Sequence, residues 1–324
     1  MDSKNAAPET LLEAVRYFSD PAVCLAFVAA IRWPDGVVCP RCSEREVSFL
    51  STRRLWKCKG CKKQFSVKVG TIFEDSPLGL DKWLPALWMV VNCKNGISSY
   101  ELARAAGVTQ KSAWFMNHRI RLALQNGSFD TMDGEVEADE TFIGGAARFM
   151  HKDRREQMIK GRGPVGKVAV MGLLQRHVGD DGPSQVRASV VPNRRKAAIT
   201  RMVYANVTPG AELFTDELPS YRDVAEDYCH QVINHAESYA EGRIHTNGLE
   251  NFWSLLKRGI KGTYVSVEPF HLFRYLDEQT FRFNHRREND GWRFVRALCG
   301  IVGRRLTYRE LIGEADADGA LATT

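Results

Sequence analysis

The chain has 324 residues, 44% apolar and 26% charged, with 12 Pro and 26 Gly, and its 45 Lys plus Arg against 39 Asp plus Glu give a formal charge of +6. That composition excludes a collagenous, wholly disordered or membrane-embedded chain, and the length allows two or three domains at roughly 100–200 residues each. No window reaches the roughly 18 consecutive apolar residues of a bilayer span, and the start MDSKNAAPETLLEAV lacks a basic region followed by an apolar core, so a cytoplasmic location is expected.

Residues 9–32 read as two short helices: Leu11, Leu12, Val15 and Phe18 share one face, and Val23, Leu25, Ala26, Phe27 and Ile31 follow Asp20-Pro21. RWPDG at 32–36 makes a turn. Four of the eight cysteines then fall together as Cys39-x2-Cys42 and Cys58-x2-Cys61, the spacing at which two knuckles present four thiolates to one ion. Arg41, Lys57, Lys59, Lys62 and Lys63 favour the thiolate form. An iron–sulfur centre or a redox dithiol pair would use the same residues, but a closed structural zinc ribbon is the expectation. The scattered Cys24, Cys93, Cys229 and Cys299 read as small buried hydrophobes.

From Leu80 to Leu124 the pattern is helical, with an apolar helix over Trp83 to Val91 and a break at Asn95-Gly96. In SSYELARAAGVTQKSAWFMNHRIRLAL a first helix is expected to bury Tyr100, Leu102 and Ala103, with Gly107 turning the chain. Thr109 would then cap a second helix carrying Ala113, Phe115, Met116 and Ile120. This is helix-turn-helix spacing, and it puts Thr109, Gln110 and Lys111, with Ser112, where base contacts are made.

Charge is concentrated locally. Arg41 to Lys68 holds nine Lys/Arg against two Glu, and Arg148 to Lys167 holds seven against Asp153 and Glu156. Two such stretches point to a polyanion, since neutralising phosphates releases counterions. The second stretch, GAARFMHKDRREQMIKGRGPVGK, is Gly-rich and reads as a loop closing on DNA through Arg154, Arg155, Lys160 and Arg162.

From Glu135 the period shifts toward two. Strands are expected near 135–142, 167–175, 185–191, 211–216 and 231–234, and helices near 194–206, 219–226, 247–258 and 268–286. Three strands followed by alternating helices and strands make a mixed sheet covered by helices. In EVEADETFIGG, Val136 and Ala138 face one way, while Glu137, Asp139 and Thr141 face the other and read individually as solvent-facing. Asp216 ends the apolar strand of AELFTDELPSY, and strand ends in open α/β sheets are where ligands collect. Glu250 stands in HTNGLENFWSLLKRGIKG, a helix whose Leu249, Phe252, Trp253 and Leu256 pack inward, with Lys257 two turns later on the same stripe. The three acids thus fall on a first strand, a fourth strand and a following helix, the order that brings them to one sheet edge.

The chain resembles the zinc-ribbon insertion-sequence transposases of bacteria, the ISXO-like group of the DDE superfamily. The resemblance runs from about Leu12 to Arg287 through RWPDG, CPRC, CKGC, ADETFIGG, FTDELPSY, HTNGLENFWSLLKRG and FRFNHRR. It implies an α/β, RNase H-like catalytic domain with Asp139, Asp216 and Glu250 as the acidic triad and Lys257 as the associated basic residue. Relatives vary at the third acid, where Asn247 and Asn251 lie within a turn of Glu250, but only Glu250 is anionic and in register with Lys257.

It further implies two Mg2+ ions, with Asp139 bridging and Asp216 and Glu250 each holding one, and DNA cleavage followed by strand transfer. The partners would be the element's terminal inverted repeats, target DNA and a second copy or larger assembly of this chain, at the nucleoid. Arg282, Asn284, Arg286 and Arg287 are expected near substrate, while His151, His235 and His245 are read as uninvolved. Two rivals remain, a catalytically idle DNA-binding regulator and an RNase H-like nuclease that cuts without joining. The expected division is a helical segment at 1–34, the ribbon at 35–70, the helix-turn-helix segment at 71–126, the catalytic domain at 127–312 and a polar tail at 313–324.

Overall fold

The computed structural model describes residues 8–125, 130–144, 152–153, 156, 166–177, 182–193, 195–216, 221, 227–233 and 245–314. The chain divides into two units. One is formed by 1–125 together with 288–324, the other by 126–287. Residues 288–312, expected within the catalytic domain, therefore fold with the N-terminal unit. The physical reason is an aromatic core shared across 200 positions, in which Phe294 meets Phe18 at 5.4 Å and Trp88 at 5.1 Å.

The first unit opens with α1 (Leu11–Tyr17), started by a capping box between Thr10 and Glu13. Helix α2 (Pro21–Arg32) is capped by Asp20 with Pro at its first position. The α1 face differs from expectation. Ala14 and Phe18 are buried, whereas Leu11, Leu12 and Val15 are exposed. The ribbon follows as an antiparallel sheet of β1 (Val47–Leu50), β2 (Leu55–Cys58) and β3 (Gln64–Phe65).

Helix α3 (Leu80–Asn92) is buried along most of its length. Helices α4 (Ser99–Ala106) and α5 (Gln110–Ala123) are joined by Gly107, Val108 and Thr109, with Gly107 at φ 60° closing α4 in the left-handed region. Helix α4 buries Leu102 and Ala103 but leaves Tyr100 67% exposed, so that residue does not belong to its inner face.

The second unit is built on a five-stranded sheet of β4 (Glu135–Gly144), β5 (Lys167–Gln175), β6 (Gln185–Val191), β7 (Glu212–Asp216) and β8 (Cys229–Ile233), in the order β6-β5-β4-β7-β8. The β4–β5 and β5–β6 pairs are antiparallel, while β4–β7 and β7–β8 are parallel. Three strands run as a meander, β7 returns through a helix to lie parallel to β4, and β8 lies parallel to β7, which gives the mixed, helix-flanked α/β sheet expected of an RNase H-like domain. Helix α6 (Lys196–Asn206) packs one face, where Val136, Ala138, Met171, Leu173, Ile199, Val203 and Leu213 form a core. Helices α7 (Asn247–Gly259) and α8 (Leu272–Asn284) cover the other, over Ile143, Val170, Leu174, Leu249, Phe252 and Trp253. The helix expected at 219–226 lies mostly outside the described residues. The first unit resumes with α9 (Asp290–Cys299) and α10 (Tyr308–Ile312).

A missing side chain sets how closely α7 approaches the sheet. Gly172 pairs across from Asp139, and a Cβ there would stand 2.6 Å from Trp253 Cζ2 and 2.9 Å from Leu249 Cδ2. Gly172→Ala is therefore expected to push α7 off the sheet and destabilise the unit by about 1–3 kcal/mol, measurable by urea unfolding. Unchanged stability would show that α7 is not seated this tightly.

Among the described residues no single helix is long and apolar enough to cross a membrane. The scattered cysteines divide: Cys24 is buried, but Cys229 and Cys299 are exposed and are not core residues.

Candidate functional site

Alternation along β4 places Val136 and Ala138 toward α6 and sends Glu137 and Asp139 to the opposite face. That face is not open to solvent as the strand pattern alone suggested, because α7 lies over it. Glu137 is only 1% exposed.

The parallel pairing of β4 with β7 matches Val136 with Leu213 and Glu137 with Phe214. Asp139 and Asp216 stand two residues beyond the last of these pairs, each on the same face of its strand as Glu137 and Phe214. Glu250 enters from the first turn of α7 and Lys257 from its last turn. Asp139 accepts the Trp253 indole N–H on Oδ2 at 2.9 Å and the Glu140 amide on Oδ1 at 2.8 Å. Burial pushes its carboxyl up to about 6, and the charges of Asp216 and Glu250 add to the rise against the Trp253 and Glu140 hydrogen bonds. The three acids named from the sequence thus share one electrostatic neighbourhood. Lys257 faces it. Burial pulls the ammonium below its ordinary range, Asp139 opposes the pull, and Lys261 and Lys167 reinforce it.

Sequence reading missed the supports of this cluster. Thr246, the residue before α7, gives the helix no side-chain cap. The cap comes instead from the sheet, where Glu137 Oε2 accepts the Leu249 amide at 3.0 Å, one of the orphan donors of a helix start. Gly248 makes room, since a Cβ there would lie 2.9 Å from Glu137 Oε2. The other oxygen, Glu137 Oε1, receives Arg176 Nε at 2.9 Å, and the same guanidinium donates to Glu135 at 2.9 Å and to the His245 carbonyl at 2.6 Å. His245 Nδ1 stands 3.4 Å from Glu137, so this histidine belongs to the brace beneath α7.

Glu137→Ala would leave Arg176 buried without the Glu137 carboxylate and α7 uncapped. A loss of about 3–5 kcal/mol is expected, measured by denaturant unfolding, and a loss under 1 kcal/mol would show that the brace does not hold the helix. Trp253 carried a usable signal, because a buried indole N–H needs an acceptor. Arg176 carried none. Nor did Tyr221, whose buried hydroxyl donates to Glu140 and whose ionisation is pushed far up by burial and by that acid.

The other sequence candidates fare differently. In the first unit Thr109 caps α5, accepting the Ser112 amide at 3.1 Å, while Gln110 donates to Ser99 and the Lys111 ammonium lies 4.6 Å over the Tyr308 ring. Arg282 is buried in an ion pair with Glu278, and Asn284 exchanges two hydrogen bonds with the backbone of Val186. Arg286 donates to Ser184 and to the Phe283 carbonyl, whereas Arg287 is exposed. Arg154, Arg155, Lys160, Arg162, His151 and His235 lie outside the described residues. Asn247 and Asn251 are exposed on α7.

Cys39, Cys42, Cys58 and Cys61 bring four sulfurs within 4.8 Å of one another, with Cys39–Cys61 at 3.8 Å and Cys42–Cys58 at 3.5 Å. A tetrahedral zinc with bonds of about 2.3 Å requires sulfur separations near this range. The two knuckles repeat each other: Cys39 N–H bonds the Glu44 carbonyl at 2.9 Å and Cys58 N–H bonds that of Lys63 at 3.0 Å. Ser43 and Lys62, each following a second cysteine, adopt φ of 60° and 59°. The geometry is that of a zinc ribbon with a structural zinc. Among the described residues this is the one set of three or more metal-binding side chains gathered so tightly. The acidic trio stands further apart.

The sequence matches the ISXO2-like transposase domain over residues 131–284 and the transposase zinc-ribbon domain over residues 19–64. It is 26% identical over 261 residues to an uncharacterized protein in transposable element ISH50 of Halobacterium salinarum, covering 77% of this chain and 86% of that protein. A cryo-EM structure of the piggyBac transposase synaptic complex with hairpin DNA matches at 9% identity and a TM-score of 0.30, over 91% of this chain and 80% of that one. That likeness is too slight to carry an argument.

Proposed function

The chain belongs to the ISXO2-like insertion-sequence transposases, and on that premise we propose that it binds the ends of its element and catalyses magnesium-dependent DNA cleavage and strand transfer. What supports this reading is that the charges of Asp216 and Glu250 both act on the buried Asp139 carboxyl, which puts the three acids within electrostatic reach of one another. Three carboxylates held against mutual repulsion fit a site built for cations, and an all-oxygen donor set suits magnesium. Asp139 would bridge two ions, with Asp216 and Glu250 each holding one. Magnesium held there would supply activation of an attacking oxygen and stabilisation of a leaving one.

The chain's own residues do the rest. Trp253 and the Glu140 amide fix the Asp139 carboxylate, and Glu137 holds the first turn of α7 so that Glu250 faces it. Lys257 presents its ammonium to a phosphate as a point charge. Thr109, Gln110 and Lys111 on α5, with Arg287 and the basic stretch containing Arg154, Arg155, Lys160 and Arg162, would contact DNA. Arg286 would contribute less, being engaged by Ser184. The protein would work in the cytoplasm at the nucleoid, as a dimer or larger assembly that pairs two ends.

The test is to incubate the full chain with a labelled element end, a target plasmid and magnesium. Joined product is the expected result. Cutting without joining would make it a nuclease, and retarded but intact DNA would make it a regulator.

A further inference from the structure

Helix α7 passes directly into a π-helical turn, Ile260–Tyr264, and then into Val265 at φ 62° and ψ −54°. Those angles are those of a γ-turn of positive φ, and the turn is closed by the Ser266 amide on the Tyr264 carbonyl at 2.7 Å. For a β-branched residue this backbone is a genuine outlier, and such strain persists only where the surroundings impose it.

Here they do. The Tyr264 hydroxyl donates to Glu278, which is paired with the buried Arg282, and the Tyr264 ring stands edge-on to Tyr275 at 4.8 Å. On the far side Val267 packs against the core beneath α7. Between these anchors Val265 is 78% exposed, and Phe270 and Phe273 follow at 59% and 40%. A rigid frame thus holds an apolar tip in water, where such groups mark an interaction surface.

The charges nearby identify the partner. From Lys257 to Arg274 the segment carries Lys257, Arg258, Lys261 and Arg274 against Glu268 alone. Lys167 and Lys261 both lie within electrostatic range of Lys257. The α-helix ends at Gly259 and the π-helical turn rises less per residue, so Val265 lies within roughly 12 Å of Lys257 along the helix axis, no more than about three to four nucleotide steps.

We propose that Val265 is a DNA wedge. Phosphates follow Lys257, Lys261 and Lys167, and the valine tip enters the base stack a few steps from the phosphate being cut, unstacking that step. The proposal rests on the transposase reading and adds to it a site for bases. A second copy of this chain is a poorer occupant, because pairing two such faces would bring like charges together.

The experiment uses the full chain and a duplex of the element's terminal inverted repeat, with 2-aminopurine placed in turn at each of the six positions around the cut. Gel retardation and sedimentation are run on the same samples. With the wild type, 2-aminopurine is expected to brighten by about threefold or more at one or two positions, the signature of an unstacked base step. Val265→Gly relieves the strained backbone, and Phe270→Ala leaves it untouched. Both variants are expected to retard the duplex within about threefold of the wild type, since phosphate contacts carry that affinity, and to lose at least half of the brightening. Retarded wild-type complex without brightening, or brightening retained in Val265→Gly, would overturn the wedge while leaving the transposase reading intact. Conversion of a dimer to a monomer by Val265→Gly, with brightening unchanged, would overturn it in favour of a chain–chain contact. Absence of any retarded wild-type complex would sink the transposase reading itself.

Discussion

Asp139→Asn is expected to abolish cleavage and joining, by about 10³-fold or more, and at the same time to make the protein more stable. The opposite signs come from one cause. In the folded chain the Asp139 carboxyl is pushed up to about 6 by burial and by Asp216 and Glu250, against an ordinary value of 3.8. Between these values the native state binds more protons than the unfolded one, so this residue's contribution makes stability fall as pH rises from about 4 to 6. Above pH 6 the ionised group costs at most about 3 kcal/mol. Asparagine removes the charge while keeping the shape, so at pH 8 without metal the variant is expected to melt higher by several degrees, at about 2–4 °C per kcal/mol for a unit of this size.

Calorimetry at pH 4, 6 and 8 reads this directly. The gap between variant and wild type should be small at pH 4 and full at pH 8. Magnesium should raise the melting temperature of the wild type and leave the variant unmoved. A variant that melts lower at pH 8, or that responds to magnesium as the wild type does, would remove Asp139 from the proposed cation site.

Stripping zinc has the second large expected effect. Beyond its two hydrogen-bonded knuckles the ribbon has a three-stranded sheet and a small aromatic group, with Trp56 and Phe65 stacked at 6.1 Å and Trp33 edge-on to Trp56 at 5.4 Å. So small a core does not offset the chain entropy of ordering the segment. Apparent zinc-binding free energies of about 10–16 kcal/mol in isolated fingers indicate how much the ion supplies. Chelation, or Cys58→Ser, is expected to unfold the ribbon, shifting Trp33 and Trp56 emission to the red, with one zinc released per chain in a colorimetric assay. The second unit should keep its own melting transition. A metal-free chain with unshifted emission, or release of iron and sulfide, would refute the structural-zinc reading.

Much of this was legible in the sequence because local chemistry decides it. The cysteine spacing sufficed for the ribbon, and Gly107 with Thr109 for the turn between α4 and α5. Period-two alternation on β4 put Glu137 and Asp139 on one face correctly. It could not tell that α7 would return to cover that face, because this depends on Gly172, more than 70 positions before the helix it accommodates. For the same reason Glu137 read as a solvent residue when it is a buried cap. Arg176, which neutralises it, had no pattern around it. On α1, Leu11, Leu12, Val15 and Phe18 formed an apolar stripe of the right period, yet of these the core took only Phe18, together with Ala14, because Phe18 reaches both Phe27 and Phe294. Burial on a two-turn helix is set by whichever ring finds partners.

The first unit is discontinuous, and its two stretches are stitched where the chain leaves for the second unit. Arg304 donates to the carbonyls of Leu122 and Gln125, and a Cβ on Gly300 would lie 2.2 Å from the Ala123 carbonyl oxygen. On the ribosome, then, α3 and α5 emerge early and wait for α9 until some 160 further residues have been translated. A nascent chain cut short by a frameshift or a stop codon anywhere in the inserted unit exposes the faces meant for Phe294 and Leu298 and becomes a substrate for proteolysis. Aborted synthesis is therefore expected to leave no stable fragment of the first unit, which pulse-labelling of a truncated chain would check.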